Sequence, residues 1–431
     1  MVPASSARLT DGARDSLAQV ARHILFPALP GALRDEGCEA RALDVLAAFG
    51  TEEARFFGLE VPLRPGQTGF DVLVNLTVED GVGADLARGL AERLSCGAEL
   101  GEAWVRCAAL LDAWRLGDAR GVLDRIWLEF DLRRGGMAAS QPNLFVGPAD
   151  GVTRQSFADY LPELLDRLTG TPPHSGRHAL IRRLGRGGGD GVALFQAGAM
   201  LARPNAPVRL CLRCAPPLAE SGVLALLDDA TGRILRRELA WLAPLAPRID
   251  LALDVLPDGR LAPRLGLEAW FEPEMGAELL AAGVAALGAT LVARGLAEPN
   301  RAAALGACEG LTLRPDATGY WPASLRFAEA LTGRRRRGAI LHGLHHIKVT
   351  ADVDGVAEAK AYLYCAIETL PAGLLPIASQ AMGATASAAS PLRTAKREAE
   401  PAPSTQAPIP ASAAASDSAC NAQPASISAK R

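Results

Sequence analysis

The sequence predicts a mixed α/β (α+β) fold: an antiparallel, closed β-barrel of about ten strands surrounded by a ring of α-helices. Three observations lead to it. Five stretches read as β-hairpins, about two helical stretches separate each hairpin from the next, and every hairpin carries one apolar face and one polar or mixed face. A side-chain period of two sets those faces on opposite sides of a strand. Closing such strands buries the apolar faces under helices and keeps a polar lumen with room for a ligand. With 431 residues, 49% of them hydrophobic, the chain can build one large or two ordinary domains.

The elements follow in order. Residues 13–50 carry helical spacing, interrupted at Pro30-Gly31. The first hairpin, Phe57–Val78, alternates Val72, Val74 and Leu76 with Asp71, Leu73, Asn75 and Thr77 after the turn-rich RPGQTG. Helical text at 83–95 and 101–115 leads to the second hairpin. Its strand Arg125–Leu132 sets Trp127, Glu129 and Asp131 against Ile126, Leu128, Phe130 and Leu132, and the chain returns through 143–147. Two more helical stretches, 156–170 and 175–185, precede the third hairpin, Gly191–Leu201, with a turn at Arg203-Pro204-Asn205. Its return strand sets Arg209, Cys211 and Arg213 against Val208, Leu210 and Leu212. After helical text at 218–230 and 233–245, the fourth hairpin, Arg248–Phe271, folds at Pro257-Asp258-Gly259, a strong turn signal. Asp250 and Asp254 share one polar face, and Arg264, Glu268 and Trp270 another. Helical text at 274–296 and 300–309 then leads to the fifth hairpin. Its strands, His345–Asp352 and Ala357–Cys365, carry His346, Lys348 and Thr350 and then Glu358, Lys360, Tyr362 and Tyr364 on their polar faces.

These boundaries predict a disordered N-terminus over 1–12, a barrel domain over 13–375, and a disordered Ala/Ser/Pro-rich tail over 383–431. A net charge of −3 argues against nucleic acid or an anionic membrane surface as a bulk partner. There is no apolar run long enough for a membrane span, and the N-terminal text lacks the apolar core of a signal peptide. Eight cysteines without regular spacing suit reduced thiols, so the expected location is cytoplasmic.

The chemistry lies on the polar faces. Lys360-Ala361-Tyr362-Leu363-Tyr364 puts a cation and two tyrosines on one side of a strand, a pattern unusual for a plain solvent face. Arg209-Leu210-Cys211-Leu212-Arg213 and Arg264-Leu265-Gly266-Leu267-Glu268 repeat the basic theme on earlier return strands. The five ββ units between helices, with these strands, resemble the ααββ-repeat prenyltransferase barrel of the aromatic (ABBA-type) and dimethylallyltryptophan-synthase-type enzymes. The resemblance covers most of residues 50–370 and is one of order and face chemistry. It implies transfer of an isoprenyl group from an allylic diphosphate to an aromatic or peptidic acceptor. On it, Arg209, Arg213, Arg264, Lys348, Lys360 and Tyr362 would hold the diphosphate. Glu129, in Trp127-Leu128-Glu129-Phe130-Asp131, would orient the acceptor, and Trp127, Trp270 and Tyr364 would shield the cation. The chain departs from the family in having four tyrosines in all, and Cys211 and Gly266 where a Lys is expected.

Such chemistry has a physical rationale. Preorganised Arg and Lys donors stabilise the charge growing on departing pyrophosphate. Aromatic faces shelter the allyl cation from water. A carboxylate then takes up or steers a proton. No Asp-rich DDxxD-type element is present, and Asp228-Asp229 lacks its spacing, so a Mg²⁺ cluster is not supported and no cofactor is required. The same barrel can instead cyclise a bound terpene, or hold a hydrophobic or anionic metabolite without chemistry. Ordinary readings compete at each residue: outward amphipathic strands for the basic residues, and ion pairing for Glu129 and Asp131.

Four further motifs read as structural. His342-x-x-His345-His346 lacks metal spacing, its first His falls in a loop, and adjacent strand histidines point to opposite sides. Cys211-x-x-Cys214 has no second pair; Gly185–Gly191 reads as a linker; and Arg334–Arg337 reads as a solvated helix end.

Overall fold

The period-two segments fold as antiparallel strands because each has one face apolar enough to bury under helices. The computed structural model describes residues 15–76, 101–116, 121–134, 141–187, 191–203, 205–215, 222–271, 277–314, 319–333 and 335–372. The expected N-terminal segment 1–12, helical stretch 83–95 and tail 383–431 lie outside them, as do parts of the 185–191 and 334–337 motifs.

Hairpin strands β1 (Phe56–Pro62) and β2 (Asp71–Leu76), β3 (Leu123–Phe130) and β4 (Pro142–Pro148), β5 (Val192–Ala199) and β6 (Val208–Cys214), and β7 (Arg248–Val255) and β8 (Leu261–Trp270) pair in chain order. A short strand β9 (Gly310–Leu313) precedes the long hairpin β10 (Arg336–Asp352) and β11 (Gly355–Pro371). The last half of β10 pairs with β8, and β11 pairs with β1 from Phe56↔Ala366 to Pro62↔Lys360, closing a ten-stranded barrel. β9 adds to the outside edge of β10's first half, from Ala339↔Leu313 to His342↔Gly310.

The outward faces are the core. Leu59, Val61, Val72, Val74, Ile126, Leu128, Leu210, Leu212, Leu251, Leu253, Leu265, Leu267, Ile347, Val349, Ala361 and Leu363 are all buried. They pack under helices that include α1 (Glu36–Leu46), α2 (Glu102–Leu116), α3 (Arg154–Thr169), α4 (Ser175–Arg186), α5 (Asp229–Leu242), α6 (Ala277–Ala293), α7 (Pro299–Ala304) and α8 (Ala323–Leu331). Side-chain caps start several of them: Asp35 accepts from the Cys38 N–H at 2.8 Å, Thr153 from Ser156 at 3.1 Å and Asp228 from Thr231 at 2.7 Å. Such caps satisfy orphan donors of the first turn. The Pro257-Asp258-Gly259 turn works as the sequence predicts: Gly259 has φ +81°, and a Cβ there would meet the Arg177 backbone N at 2.7 Å.

Several expectations change. β10 begins at Arg336 and β11 ends at Pro371, so the fifth hairpin is longer than 345–365 at its open end, and His342 lies on a strand, where a loop was expected. Arg336 and Arg337 therefore open a strand and do not end a helix. Within the expected helical stretch 218–230, the described residues from Gly222 on form the short helix Val223–Leu226 before α5 begins at Asp229. β9 is four residues, too short for alternation to declare it.

Barrel closure depends on close approach between β1 and β11. A Cβ on Gly58 would lie 2.8 Å from the Leu363 carbonyl oxygen, which is backbone and cannot swing aside. Gly58→Ala is expected to cost about 1–3 kcal/mol, as overpacking does. Urea unfolding measures this directly, and an unchanged midpoint would show that the seam has slack.

Candidate functional site

Alternation on all ten barrel strands sends the polar faces inward, and the inward residues divide by chemistry along the barrel axis. The end where the hairpins turn is charged. A cavity of about 280 Å³ there is lined by Glu60, Asp71, Asp131, Arg133, Arg203, Arg209, Asp254, Arg264, Lys348, Glu358, Lys360 and Tyr362, among others. Five of the six residues assigned to a diphosphate, Arg209, Arg264, Lys348, Lys360 and Tyr362, thus share one cavity. Arg213 stands apart toward the other end, with its side chain 48% exposed, 3.7 Å from Asp250 and 4.9 Å from the Phe195 ring centre.

Every cation lining this cavity has a carboxylate partner. Arg209 grips Asp254 through two hydrogen bonds of 2.8 and 2.9 Å. Lys348 donates to Glu268 at 2.9 Å, and its chain lies across Gly266, where a Cβ would come within 2.6 Å. Gly266 therefore makes room for a lysine from the next strand. Lys360 donates to Glu60 and lies 3.2 Å from Glu358, while the Tyr362 hydroxyl also donates to Glu60. Arg264 reaches Glu358 at 3.4 Å.

Two cations were not legible as site residues. Arg133 bridges Asp71, Glu60 and Glu358 at 2.7, 3.2 and 3.3 Å. Arg203 bridges Glu129 and Asp131 at 3.2 and 3.3 Å. Both sit just past strand ends, where alternation stops carrying information.

Glu129 is 3% exposed and accepts from Asn143 Nδ2 at 3.4 Å and Arg203 Nη2 at 3.2 Å. Burial and the negative charge of Glu60 push its carboxyl up to about 7, against the pull of Arg203. Burial likewise lifts Asp71 to about 6, with Glu60 adding to it and Arg133 opposing. Burial lifts Asp250 to about 6, with Arg248 opposing. Burial also works against ionised Glu60 and Glu268, yet their cations win. Glu60 is held well below the carboxylate range by Lys360 and Arg133, and Glu268 at about 2 by Lys348.

The opposite half of the lumen is aromatic. Trp127 packs edge-on to Phe56 at 5.3 Å, and Phe56 stacks on Tyr364 at 5.8 Å. Trp270 lies 4.5 Å from His345 and stacks on His346 at 4.7 Å, and His346 stacks on Tyr362 at 4.1 Å. Trp127, Trp270 and Tyr364, the residues assigned to a cation shield, are therefore linked into one belt through Phe56 and His345. Phe145 enters the same region over Gly198, where a Cβ would lie 2.3 Å from its ring.

The histidine geometry corrects an expectation. A register shift between Leu344 and His346 places His345 as an extra residue opposite β11. A bulge breaks strict alternation, so both imidazoles meet the same aromatic belt where opposite sides were expected. Among the described residues, no group of three or more His, Cys, Asp or Glu side chains is placed to hold a metal ion, and no helix is long and apolar enough to cross a membrane. No model of a known protein family matches the chain, and no curated protein matches it at a significant level.

Proposed function

We propose that the chain is a barrel enzyme of the prenyl-transfer type, which ionises an allylic diphosphate and delivers the isoprenyl group to an aromatic or peptidic acceptor. One observation carries the reading: the lumen divides into a cation-lined cavity and an adjoining aromatic belt. That division suits a substrate with an anionic head and a carbocation-forming tail. The diphosphate would lie among Arg209, Lys348, Lys360 and Tyr362, with Arg133 and Arg203 at the mouth. Trp127, Phe56, Tyr364 and Trp270 would face the allyl group. Glu129 would accept a proton or N–H from the acceptor.

The carboxylates already in the cavity set a condition on this. An entering anion competes with them, and Asp71, lifted to about 6, relieves the repulsion by taking up a proton. Anion binding is thus expected to tighten as pH falls from 8 to 6. Calorimetry in buffers of different ionisation heat, with sulfate as the probe, measures the protons taken up; none taken up would remove the condition.

A second reading, a barrel that binds a metabolite without chemistry, draws on the pairing of each cavity cation with a carboxylate. Incubation with dimethylallyl, geranyl and farnesyl diphosphates and a panel of aromatic acceptors separates the two. Pyrophosphate release supports the enzyme, and a cyclised product identifies a terpene cyclase. Tight diphosphate binding without release supports the binder. Neither binding nor release would overturn both.

A further inference from the structure

Beyond its aromatic belt the lumen carries a second group of cations. On β7 the inward row runs Asp254, Ala252, Asp250, Arg248 away from the charged cavity, and on β6 it runs Arg209, Cys211, Arg213. Cys211 and Ala252 face each other and pack with Phe145, Trp127 and Phe195, so Arg213 and Asp250, one step further along, belong to the aromatic end. Both arginines there lie on rings: Arg213 on Phe195 at 4.9 Å and Arg248 on Trp270 at 4.4 Å. Trp270 is itself part of the belt through His345 and His346.

Asp250 sits between the two guanidinium groups with no exposed surface. Its Oδ1 accepts from the Cys214 N–H at 3.3 Å. Its Oδ2 lies 3.4 Å from Arg248 Nε and 3.7 Å from Arg213 Nε, and makes no hydrogen bond among the described residues. At 3.7 Å the contact with Arg213 is one of charge alone. It places the guanidinium without using its donors, and the side chain is half exposed. This separates Arg213 from Arg209, Lys348 and Lys360, whose donors are spent on Asp254, Glu268 and Glu60. A guanidinium held flat on a ring presents a planar fork of donors, the match of a carboxylate.

We propose that Arg213, with Arg248 beside it, forms a second anion site at the aromatic end of the lumen, which takes the carboxylate of an aromatic acid whose ring lies in the belt. Trp270 links the two parts, since it carries Arg248 and also lines the belt. A ring seated against it sets its carboxylate at the guanidinium groups. The identity of the aromatic acid as the acceptor rests on the prenyl-transfer reading. The two anions of the reaction then lie on opposite sides of the belt, diphosphate in the charged cavity and carboxylate at Arg213. Arg213, grouped with the diphosphate residues on sequence, serves the other substrate.

Calorimetry on the full chain tests the site without any turnover. The probes are benzoate and indole-3-acetate, each set against its primary amide, so that only the charge differs. The acids should bind about 10- to 100-fold more tightly than the amides, the size of a hydrogen bond to a charged group. Arg213→Met should bring each acid to the affinity of its amide and leave the amides unchanged. The variant should keep the wild-type thermal midpoint, because the side chain it alters is half exposed. Acids no tighter than amides, an acid preference that survives Arg213→Met, or no binding of either acid at millimolar concentration would overturn the site. Inorganic pyrophosphate gives a test in the wild type alone. It should leave the acids bound, whereas displacement of an acid by pyrophosphate would put the carboxylate in the charged cavity and overturn the second site. A protein that binds the acids through Arg213 but releases no pyrophosphate from any donor would keep the site and overturn the prenyl-transfer reading.

Discussion

Glu129→Gln is expected to lower turnover by about 10²- to 10⁴-fold, the usual contribution of a positioned acid or base, while leaving the barrel folded. Glutamine preserves the length of the side chain and an oxygen for Asn143 Nδ2 and Arg203 Nη2. Arg203 also retains Asp131 at 3.3 Å, so no cation is stranded. The pH dependence makes the test specific. Burial and Glu60 lift the Glu129 carboxyl to about 7, so it is a mixture of acid and carboxylate near neutrality. A base must be ionised, so kcat/KM of the wild type should rise with pH through about 7, and Glu129→Gln should lose that limb. Pyrophosphate release across pH 5–9, with thermal unfolding as the control, checks both. Unchanged turnover with an unchanged pH profile would reduce Glu129 to a member of the ion-pair network.

The pattern that made the barrel legible is the same one that hid part of its site. Strand faces such as Val72–Leu76 and Val208–Arg213 alternate without interruption, so their inward and outward residues follow from the period alone. Where backbone geometry departs from that period, the reading fails. Arg133 and Arg203 enter the cavity from strand ends and turns. His345 joins the lumen through a bulge that no local residue type announces. Lys348 fills the space over Gly266 because two strands distant in sequence are neighbours, a relation that exists only after the barrel closes. The pairing of each cavity cation with a carboxylate is invisible for the same reason: Glu60 and Lys360 are 300 positions apart.

That long-range pair carries the largest expected stability effect. Glu60 is buried and accepts from Lys360 and Tyr362, with Arg133 at 3.2 Å. Removing one partner of a buried ion pair strands the other charge, at about 3–5 kcal/mol. Glu60→Ala should fall near about 3 kcal/mol, the low end of that range, since Lys360 and Arg133 both keep Glu358. Glu60→Met with Lys360→Met should recover much of the loss, because an apolar pair of similar volume carries no desolvation penalty. The sign of the pH dependence is set by the depressed Glu60 carboxyl. Its contribution is complete above the ordinary glutamate pKa of 4.5 and is lost as pH falls toward the folded value, so wild type and Glu60→Ala should converge in acid. Urea unfolding from pH 3 to 8 measures this; a gap that stays constant with pH would show that Glu60 acts by packing alone. The same substitution reaches the chemistry. Glu60 helps raise both Glu129 and Asp71, so its removal should move the limb near pH 7 to lower pH. A shifted limb in a weakened barrel would show that one buried carboxylate both closes the β1–β11 seam and tunes the base across the lumen.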